Sequence, residues 1–217
     1  MDLQALRLSL LLATLTALSL LVIGLPVSHW LASARFKGKA VVEAVLSLPL
    51  VLPPTVLGFY LLVAMGTKSP LGRAWVALTG HPLAFSFAGL LIASIVYGLP
   101  FAVQPFTAAL SQVDPRLTEA ASTLGASPFR AFFRISLPLA APGIVAGTVL
   151  SFAHALGEFG VVLMVGGNIA GETRTLSIAI FDSVEELDYA AANTTALFLL
   201  GVSFAVLVAV SLLRRKA

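Results

Sequence analysis

Five predominantly apolar stretches dominate this 217-residue sequence, and each is long enough to cross a lipid bilayer. A helical span needs roughly 20 consecutive apolar residues, because an α-helix rises about 1.5 Å per residue. The stretches cover residues 6–29, 41–65, 83–110, 139–165 and 192–213. Hydrophobic residues make up 59% of the chain and charged residues 11%, a balance typical of integral membrane proteins. The sequence therefore predicts an all-α, polytopic membrane protein with five transmembrane helices, with residues 1–217 forming a single domain.

The first apolar stretch begins almost at the N-terminus, as the apolar region of a secretory signal peptide would. It is longer than such a region. It also runs into His29 and Trp30, a pair of residues typical of the membrane interface. We therefore expect this stretch to be retained as a span.

The basic residues indicate how the chain is oriented, because cytoplasmic loops carry an excess of Lys and Arg. With five spans, most of the 13 basic residues fall on one side, namely Arg35, Lys37, Lys39, Arg116, Arg130, Arg134, Arg214, Arg215 and Lys216. The opposite side keeps Arg7, Lys68, Arg73 and Arg174 together with several acidic residues. The charge pattern thus predicts a multi-pass membrane protein with its N-terminus outside and its C-terminus in the cytoplasm. The segment between the third and fourth stretches is then cytoplasmic.

This segment, about 113–138, is polar and carries the signals of two short helices. Asp114 precedes Pro115, and Ser127 precedes Pro128. In each pair the first residue can cap a helix, and proline occupies the first helical position, where its missing N–H costs nothing. The pattern predicts two helices at the membrane edge.

Seven positions of the same segment form a spaced motif. They are Glu119, Ala120, Ala121, Gly125, Ile135, Leu137 and Pro138. Gly125 lies where the first helix would end in a left-handed residue, and we expect Pro138 to stop the second helix. An interfacial hairpin that only turns the chain is one interpretation of the segment. We favour a docking element for a cytoplasmic partner, because the whole motif is present.

The second stretch contains three prolines, Pro49, Pro53 and Pro54, which remove backbone donors from its middle. We therefore expect a kinked or broken helix. One interpretation is a packing kink stabilised by neighbouring helices. The other is irregular backbone that lines a pathway, with Thr55 as a polar group there. The sequence leaves both open.

The fourth stretch places His154 and Glu158 four residues apart, and so on one face of a helix. They are either a structural pair, with Glu158 bonded to His154 or to neighbouring backbone, or part of a pathway or its gate. We favour the structural pair for an anion carrier, because a carboxylate would repel the substrate. Thr55 and Ser151 could line a pathway with hydroxyl groups. His154 beside one carboxylate is a poor metal site, because no second histidine or cysteine lies at ligand spacing.

Several function classes are disfavoured by composition and by the motifs that are missing. The net charge of +3 reflects the topological bias, and the sequence contains no basic patch interleaved with aromatic residues for nucleic acid. The chain has no cysteine, so it has neither disulfides nor thiol chemistry. It has no phosphate-binding loop and no catalytic triad pattern, so we expect no ATPase or other enzyme activity and no bound cofactor in this chain.

The spaced motif matches the cytoplasmic loop known as the EAA loop in permease subunits of bacterial ABC importers. Further stretches, at 36–39, 48–54, 116–138, 157–160 and 171–175, resemble those of molybdate permeases. The resemblance implies the MetI-like transmembrane domain, with the motif residues forming an ATPase-coupling loop. It also implies a homodimer of this chain, a pair of cytoplasmic ATPase subunits that bind ATP and Mg²⁺, and an external protein that delivers the oxyanion.

Other assignments remain open at this level. Sulfate and tungstate permeases share much of the same pattern, so the anion rests on overall likeness. A self-powered channel or secondary transporter would also be polytopic, but would leave the coupling motif without a purpose. A membrane enzyme would need a cluster of carboxylates or histidines at the membrane edge, which the sequence lacks.

Overall fold

The computed structural model describes residues 2–34 and 36–215, with side chains up to residue 212. Arg35 and Lys216, which entered the orientation argument, lie outside the described residues. The helices are α1 Leu3–Ser33, α2 Lys39–Val51, α3 Pro54–Met65, α4 Pro70–Thr79, α5 Phe87–Ser111, α6 Pro115–Thr123, α7 Pro128–Ala131, α8 Leu137–Gly157, α9 Gly160–Gly166, α10 Leu176–Glu185 and α11 Tyr189–Arg215. A π-helical turn, Phe132–Ser136, joins α7 to α8. The described residues contain no strand, and the predicted all-α class is confirmed.

Four helical runs are long and apolar enough to span a membrane, and a bent helix pair supplies the fifth. The runs are Leu3–Ser33, Phe87–Ser111, Pro128–Gly157 and Tyr189–Leu212, and the pair is α2 with α3. Each of the five apolar stretches of the sequence therefore contributes one spanning element.

Helix α5 forms the centre of the bundle and packs against both α1 and α8. Its fully buried Phe106 lies in a core cluster with Leu20 of α1 and Ile144 of α8. Glycine allows the close approach: a Cβ at Gly147 of α8 would lie 2.8 Å from the Phe106 ring. Small residues serve this purpose in membranes, where helices associate through close packing rather than the hydrophobic effect.

The expected break in the second span is present. The chain bends by 109° between helices α2 and α3. The tandem prolines Pro53 and Pro54 explain it, because neither can donate a helical hydrogen bond and each ring crowds the preceding turn. By contrast, α5 continues through Pro100 and Pro105 as one helix. These prolines are not adjacent, and α1 and α8 support the helix along its length.

Two helix boundaries differ from the sequence-based expectations. Pro138 does not stop the second helix of segment 113–138, because helical structure runs on from Pro128 to Gly157. The π-helical turn Phe132–Ser136 lies just before Pro138. The fourth stretch is not one helix either: α8 ends at Gly157, and α9 begins at Gly160.

The two ends of the bundle are built differently. At one end, the His29 ring near the end of α1 contacts the Phe132 ring, with centroids 4.5 Å apart. At the other end, the Leu176 N–H donates to the Ser9 hydroxyl oxygen at 2.8 Å and so anchors α10 to α1. Segment 113–138 therefore shares one end of the bundle with the link between α1 and α2.

Candidate functional site

Segment 113–138 forms two short helices, α6 and α7, that project from the bundle. Asp114 Oδ1 accepts a hydrogen bond from the Arg116 N–H at 3.0 Å and caps α6. Ser127 Oγ accepts from the Arg130 N–H at 3.3 Å and caps α7. Both predicted cap positions are confirmed. Each cap satisfies a backbone donor that the first helical turn leaves free.

Gly125 separates the two helices and has the expected left-handed conformation, with φ of +82°. Its N–H donates to the Ser122 carbonyl, and the next N–H, of Ala126, donates to the Ala121 carbonyl, both at 3.0 Å. A Cβ at Gly125 would meet no atom within 4 Å. The position therefore requires glycine for its backbone conformation and not for lack of space.

The projecting helices expose large apolar side chains. Leu124 is 89% exposed and Phe129 is 73% exposed, while Leu117 and Phe133 are about half exposed. The rings of Phe129 and Phe133 lie 4.5 Å apart. We call these four side chains the docking face. Large apolar groups on polar helices outside a membrane mark an interaction surface more often than an ordinary solvated one.

The motif residues occupy three places around this face. Glu119, Ala120 and Ala121 lie on α6, with Glu119 exposed and Ala121 half-buried. Gly125 forms the turn. Ile135, Leu137 and Pro138 lie where the π-helical turn enters α8. The structure thus brings the motif together as one compact element at one end of the bundle.

A cavity of about 750 Å³ lies between α6 and the ends of α5 and α8. Asp114, Leu117 and Leu139 contribute to its lining. Helix α6 packs against α7 and the π-helical turn rather than against the membrane spans. Its position therefore depends on the turn and on α7.

The π-helical turn is a feature that sequence reasoning missed. In it the Leu137 N–H donates to the Phe132 carbonyl five residues earlier, rather than four. π-Helical turns are rare and occur often at functional sites. The signal available in the sequence was Pro138 itself, directly after this turn and within an otherwise continuous helix.

A second group of candidate residues lies at the break between α8 and α9. Glu158 is 6% exposed, and its Oε1 accepts a hydrogen bond from the Val161 N–H at 2.8 Å. The carboxylate therefore caps the start of α9. The distance from Glu158 Oε2 to His154 Nε2 is 3.9 Å, which is too long for a hydrogen bond.

His154 is held mainly by aromatic rings. Its imidazole stacks on Phe101 with ring centroids 3.7 Å apart and an interplanar angle of 17°. Tyr97 contacts it from a tilted orientation at 5.0 Å. His154 Nε2 is buried and has no hydrogen-bond partner among the described residues. Of the two structural partners expected for Glu158, the backbone is the one it bonds.

The two broken spans pack against each other close to their breaks. A Cβ at Gly160 of α9 would lie 2.6 Å from the Pro54 Cβ, at the start of α3. A Cβ at Gly58 of α3 would lie 2.7 Å from the Met164 Cβ. Helices α3 and α9 therefore begin side by side and run together toward the same end of the bundle.

The hydroxyl groups considered for a pathway are not brought together. Thr55 is exposed on the first turn of α3. Ser151 is fully buried, and its hydroxyl donates to the Gly147 carbonyl at 2.9 Å. In the single chain, only Thr55 faces open space. Among residues 2–34 and 36–215, no three His, Asp or Glu side chains lie close enough together to hold a metal ion.

Comparison with known proteins identifies the family. Residues 9–216 match the family described as binding-protein-dependent transport system inner membrane component. This chain belongs to that family. It is a multi-pass inner-membrane protein and the permease subunit of an ABC importer, in which ATP hydrolysis is the work of a separate subunit.

Several related permeases align with most of this chain. It is 51% identical over 214 residues to the molybdenum transport system permease protein ModB of Azotobacter vinelandii, covering 99% of this chain and 95% of the relative. It is 42% identical to the ModB protein of Haemophilus influenzae, covering 85% and 81%. The sulfate transport system permease protein CysT of Escherichia coli is 34% identical, covering 90% and 70%.

The fold agrees with that of a solved ABC transporter. A bacterial ABC transporter involved in the import of alginate superposes with a TM-score of 0.78 at 18% identity. The superposition covers 99% of this chain and 80% of that chain. At this identity the likeness concerns the fold alone.

Proposed function

We propose that this protein carries molybdate across the inner membrane as the permease subunit of an ABC importer. The observation that carries the proposal is the identity of 51% with a molybdenum permease along nearly the whole of both chains. Sulfate is the alternative anion and is less well supported, because the sulfate permease is 34% identical. We propose that the chain acts as one transmembrane domain with one coupling loop at about 113–138.

We propose that the docking face binds a cytoplasmic ABC ATPase subunit. Support comes from the exposed Leu124 and Phe129, which lie beside the motif residues on helices that have few contacts with the bundle. Glu119 is exposed on the same element and is available for a polar contact at the rim of the interface. In this arrangement ATP and Mg²⁺ are bound by the partner.

We propose that two copies of this chain form the pathway. Support comes from the sparse burial of one flank of the molecule: only Pro49 is buried in α2, and only Gly58 and Met65 in α3. A single five-span bundle is small for enclosing a pathway. Thr55 at the start of α3 would face a pathway built along this flank. His154 and Glu158 would act from behind it, by positioning α9.

We propose that the N-terminus lies outside and that segment 113–138 lies in the cytoplasm. Support comes from Arg116, Arg130 and Arg134 in that segment, because basic loops stay in the cytoplasm. An external oxyanion-binding protein would then meet the opposite end of the bundle, near α4 and α10.

We propose that anion selection lies mainly in that external protein. In the described spans Arg and Lys lie only near helix ends, such as Arg7 in α1 and Lys39 in α2. A tetrahedral dianion needs several well-placed donors to be held selectively. The permease can pass such an anion without gripping it.

Co-purification tests the docking proposal. Phe129→Asp places a charge in the docking face near the start of α7, where an acidic residue is compatible with the helix. Leu187→Asp is the matched control, because Leu187 is 71% exposed in the segment between α10 and α11. We expect Phe129→Asp to lose the ATPase subunit of the importer and Leu187→Asp to retain it. Retention of the ATPase by both variants would contradict the proposal.

A further inference from the structure

We propose that Pro138 is a positioning residue that maintains the π-helical turn Phe132–Ser136 and thereby decides which phenylalanines belong to the docking face. The functional part of this inference rests on the proposed docking of an ATPase. The structural part rests on the backbone alone and is tested separately.

The angular phase of α8 predicts which phenylalanine should lie on the inner face of the helix. Two turns of an α-helix take about 7.2 residues. In α8, the buried Ala140 faces the core cluster, and Ser136 four residues earlier is also buried. Continued as a regular α-helix, the same face would include Phe133, seven residues before Ala140.

The structure places a different phenylalanine on that inner face. Phe132, eight residues before Ala140, packs against the core cluster and against His29. Phe133 is about half exposed, and Phe129 beyond it is 73% exposed. The spacing between the inner phenylalanine and Ala140 is therefore eight residues instead of seven. A π-helical turn introduces one such extra residue.

Pro138 provides a cause for the π-helical turn. In a regular α-helix the nitrogen of Pro138 would face the carbonyl of Arg134, and the proline ring would crowd that carbonyl. In the observed turn the pairing is shifted by one residue, so that the Leu137 N–H reaches the Phe132 carbonyl. This shift relieves the crowding at Pro138 in particular, since α5 passes Pro100 and Pro105 without a π-helical turn.

The surroundings of Pro138 agree with a role exerted through the backbone. Pro138 is exposed, so its side chain contributes little to the core. Helix α6 packs mainly against α7 and the π-helical turn, so its direction depends on them as well as on its short link, residues 112–114, to α5. A change in the phase of this turn would rotate the docking face and move Phe133 toward the bundle.

Cysteine accessibility tests the structural part, and the natural absence of cysteine removes background labelling. Phe132→Cys and Phe133→Cys are made in the natural sequence, with Pro138→Ala, and with Pro142→Ala as the matched control. The purified permease is labelled with a polar maleimide without any partner. We expect the ratio of labelling at 133 to labelling at 132 to exceed one in the natural sequence and in Pro142→Ala, and to fall below one in Pro138→Ala.

A second variant tests whether an inverted ratio reflects the phase of the helix. Deletion of Arg134 combined with Pro138→Ala removes the extra residue, so a regular α-helix again places Phe132 seven residues before Ala140. We expect the ratio to fall below one in Pro138→Ala and to return above one when Arg134 is also deleted. A ratio that stays above one in Pro138→Ala, or that stays below one after the deletion, overturns the role of Pro138.

The functional part is read from uptake per ATP hydrolysed in the assembled importer. We expect Pro138→Ala to lower this ratio and Pro142→Ala to leave it unchanged. If the labelling ratio inverts while coupling is unchanged, the docking proposal fails and the structural role of Pro138 stands.

Discussion

The Glu158 carboxylate accepts a hydrogen bond from the Val161 N–H at 2.8 Å and so caps α9 inside the fourth span. Backbone groups freed by a helix break have no water to bond in a membrane, so a side chain must satisfy them. The break brings Gly160 against Pro54 and pairs α9 with α3. Glu158 therefore links the break in one span to the break in another.

Replacing Glu158 separates its role as a cap from its charge. Glu158→Ala should lower the free energy of unfolding by about 1–2 kcal/mol, because Val161 loses its acceptor. Glu158→Gln keeps a side-chain carbonyl and should lose less. Unfolding in detergent micelles measures both variants. Equal stability of the alanine, glutamine and natural proteins would contradict the assignment.

The contribution of His154 to stability should come from its ring more than from its nitrogen atoms. His154→Phe keeps the stacking on Phe101 and should change stability by less than about 1 kcal/mol. His154→Ala loses the stacking and leaves a cavity, so it should be clearly less stable. The same unfolding measurement compares the two variants. A loss in His154→Phe equal to that in His154→Ala would mean that the imidazole nitrogens matter.

Gly125 should be required for coupling and not for insertion. Gly125→Val forces a β-branched residue into the left-handed region, at a strain of roughly 1–3 kcal/mol, and should misdirect the docking face. Gly201→Val is the matched control, because a Cβ at Gly201 also meets no atom within 4 Å and its backbone is helical.

Substrate-stimulated ATPase activity of the reconstituted importer measures the effect at Gly125. We expect it to drop in Gly125→Val and to persist in Gly201→Val. Gly125→Asn should recover much of the activity, because asparagine tolerates the left-handed region. Full activity in Gly125→Val would count against the account.

The orientation can be checked with single cysteines. Ser69 and Ser127 are poor positions for substitution, because both cap helices. Thr67 and Leu124 are exposed neighbours and make better positions. A membrane-impermeant thiol reagent should label Leu124→Cys only from the cytoplasmic side and Thr67→Cys only from outside. The opposite result would overturn the orientation and the docking assignment together.

Much of this architecture could be predicted from local sequence signals. The caps at Asp114 and Ser127, the left-handed Gly125 and the break at Pro53 each depend on residues adjacent in the chain, so their physics can be read without a structure. These are also the features that agree most closely with the structure.

The missed features depend on contacts between distant parts of the chain. Phe129, Phe133 and Ser136 have ordinary helical spacing, so the pattern shows neither the π-helical turn nor the packing of Phe132 against His29. For Glu158 the sequence left open a bond to His154 or to neighbouring backbone. The bond to the backbone follows from the break between α8 and α9, which the sequence does not show.

Transport in proteoliposomes tests the central claim most directly. The permease is reconstituted with the ATPase subunits and the external binding protein, and internal molybdenum is measured with and without ATP. The account predicts accumulation of molybdate only when ATP and both partners are present, with sulfate transported poorly. Equal uptake without the ATPase, or a preference for sulfate over molybdate, would contradict it.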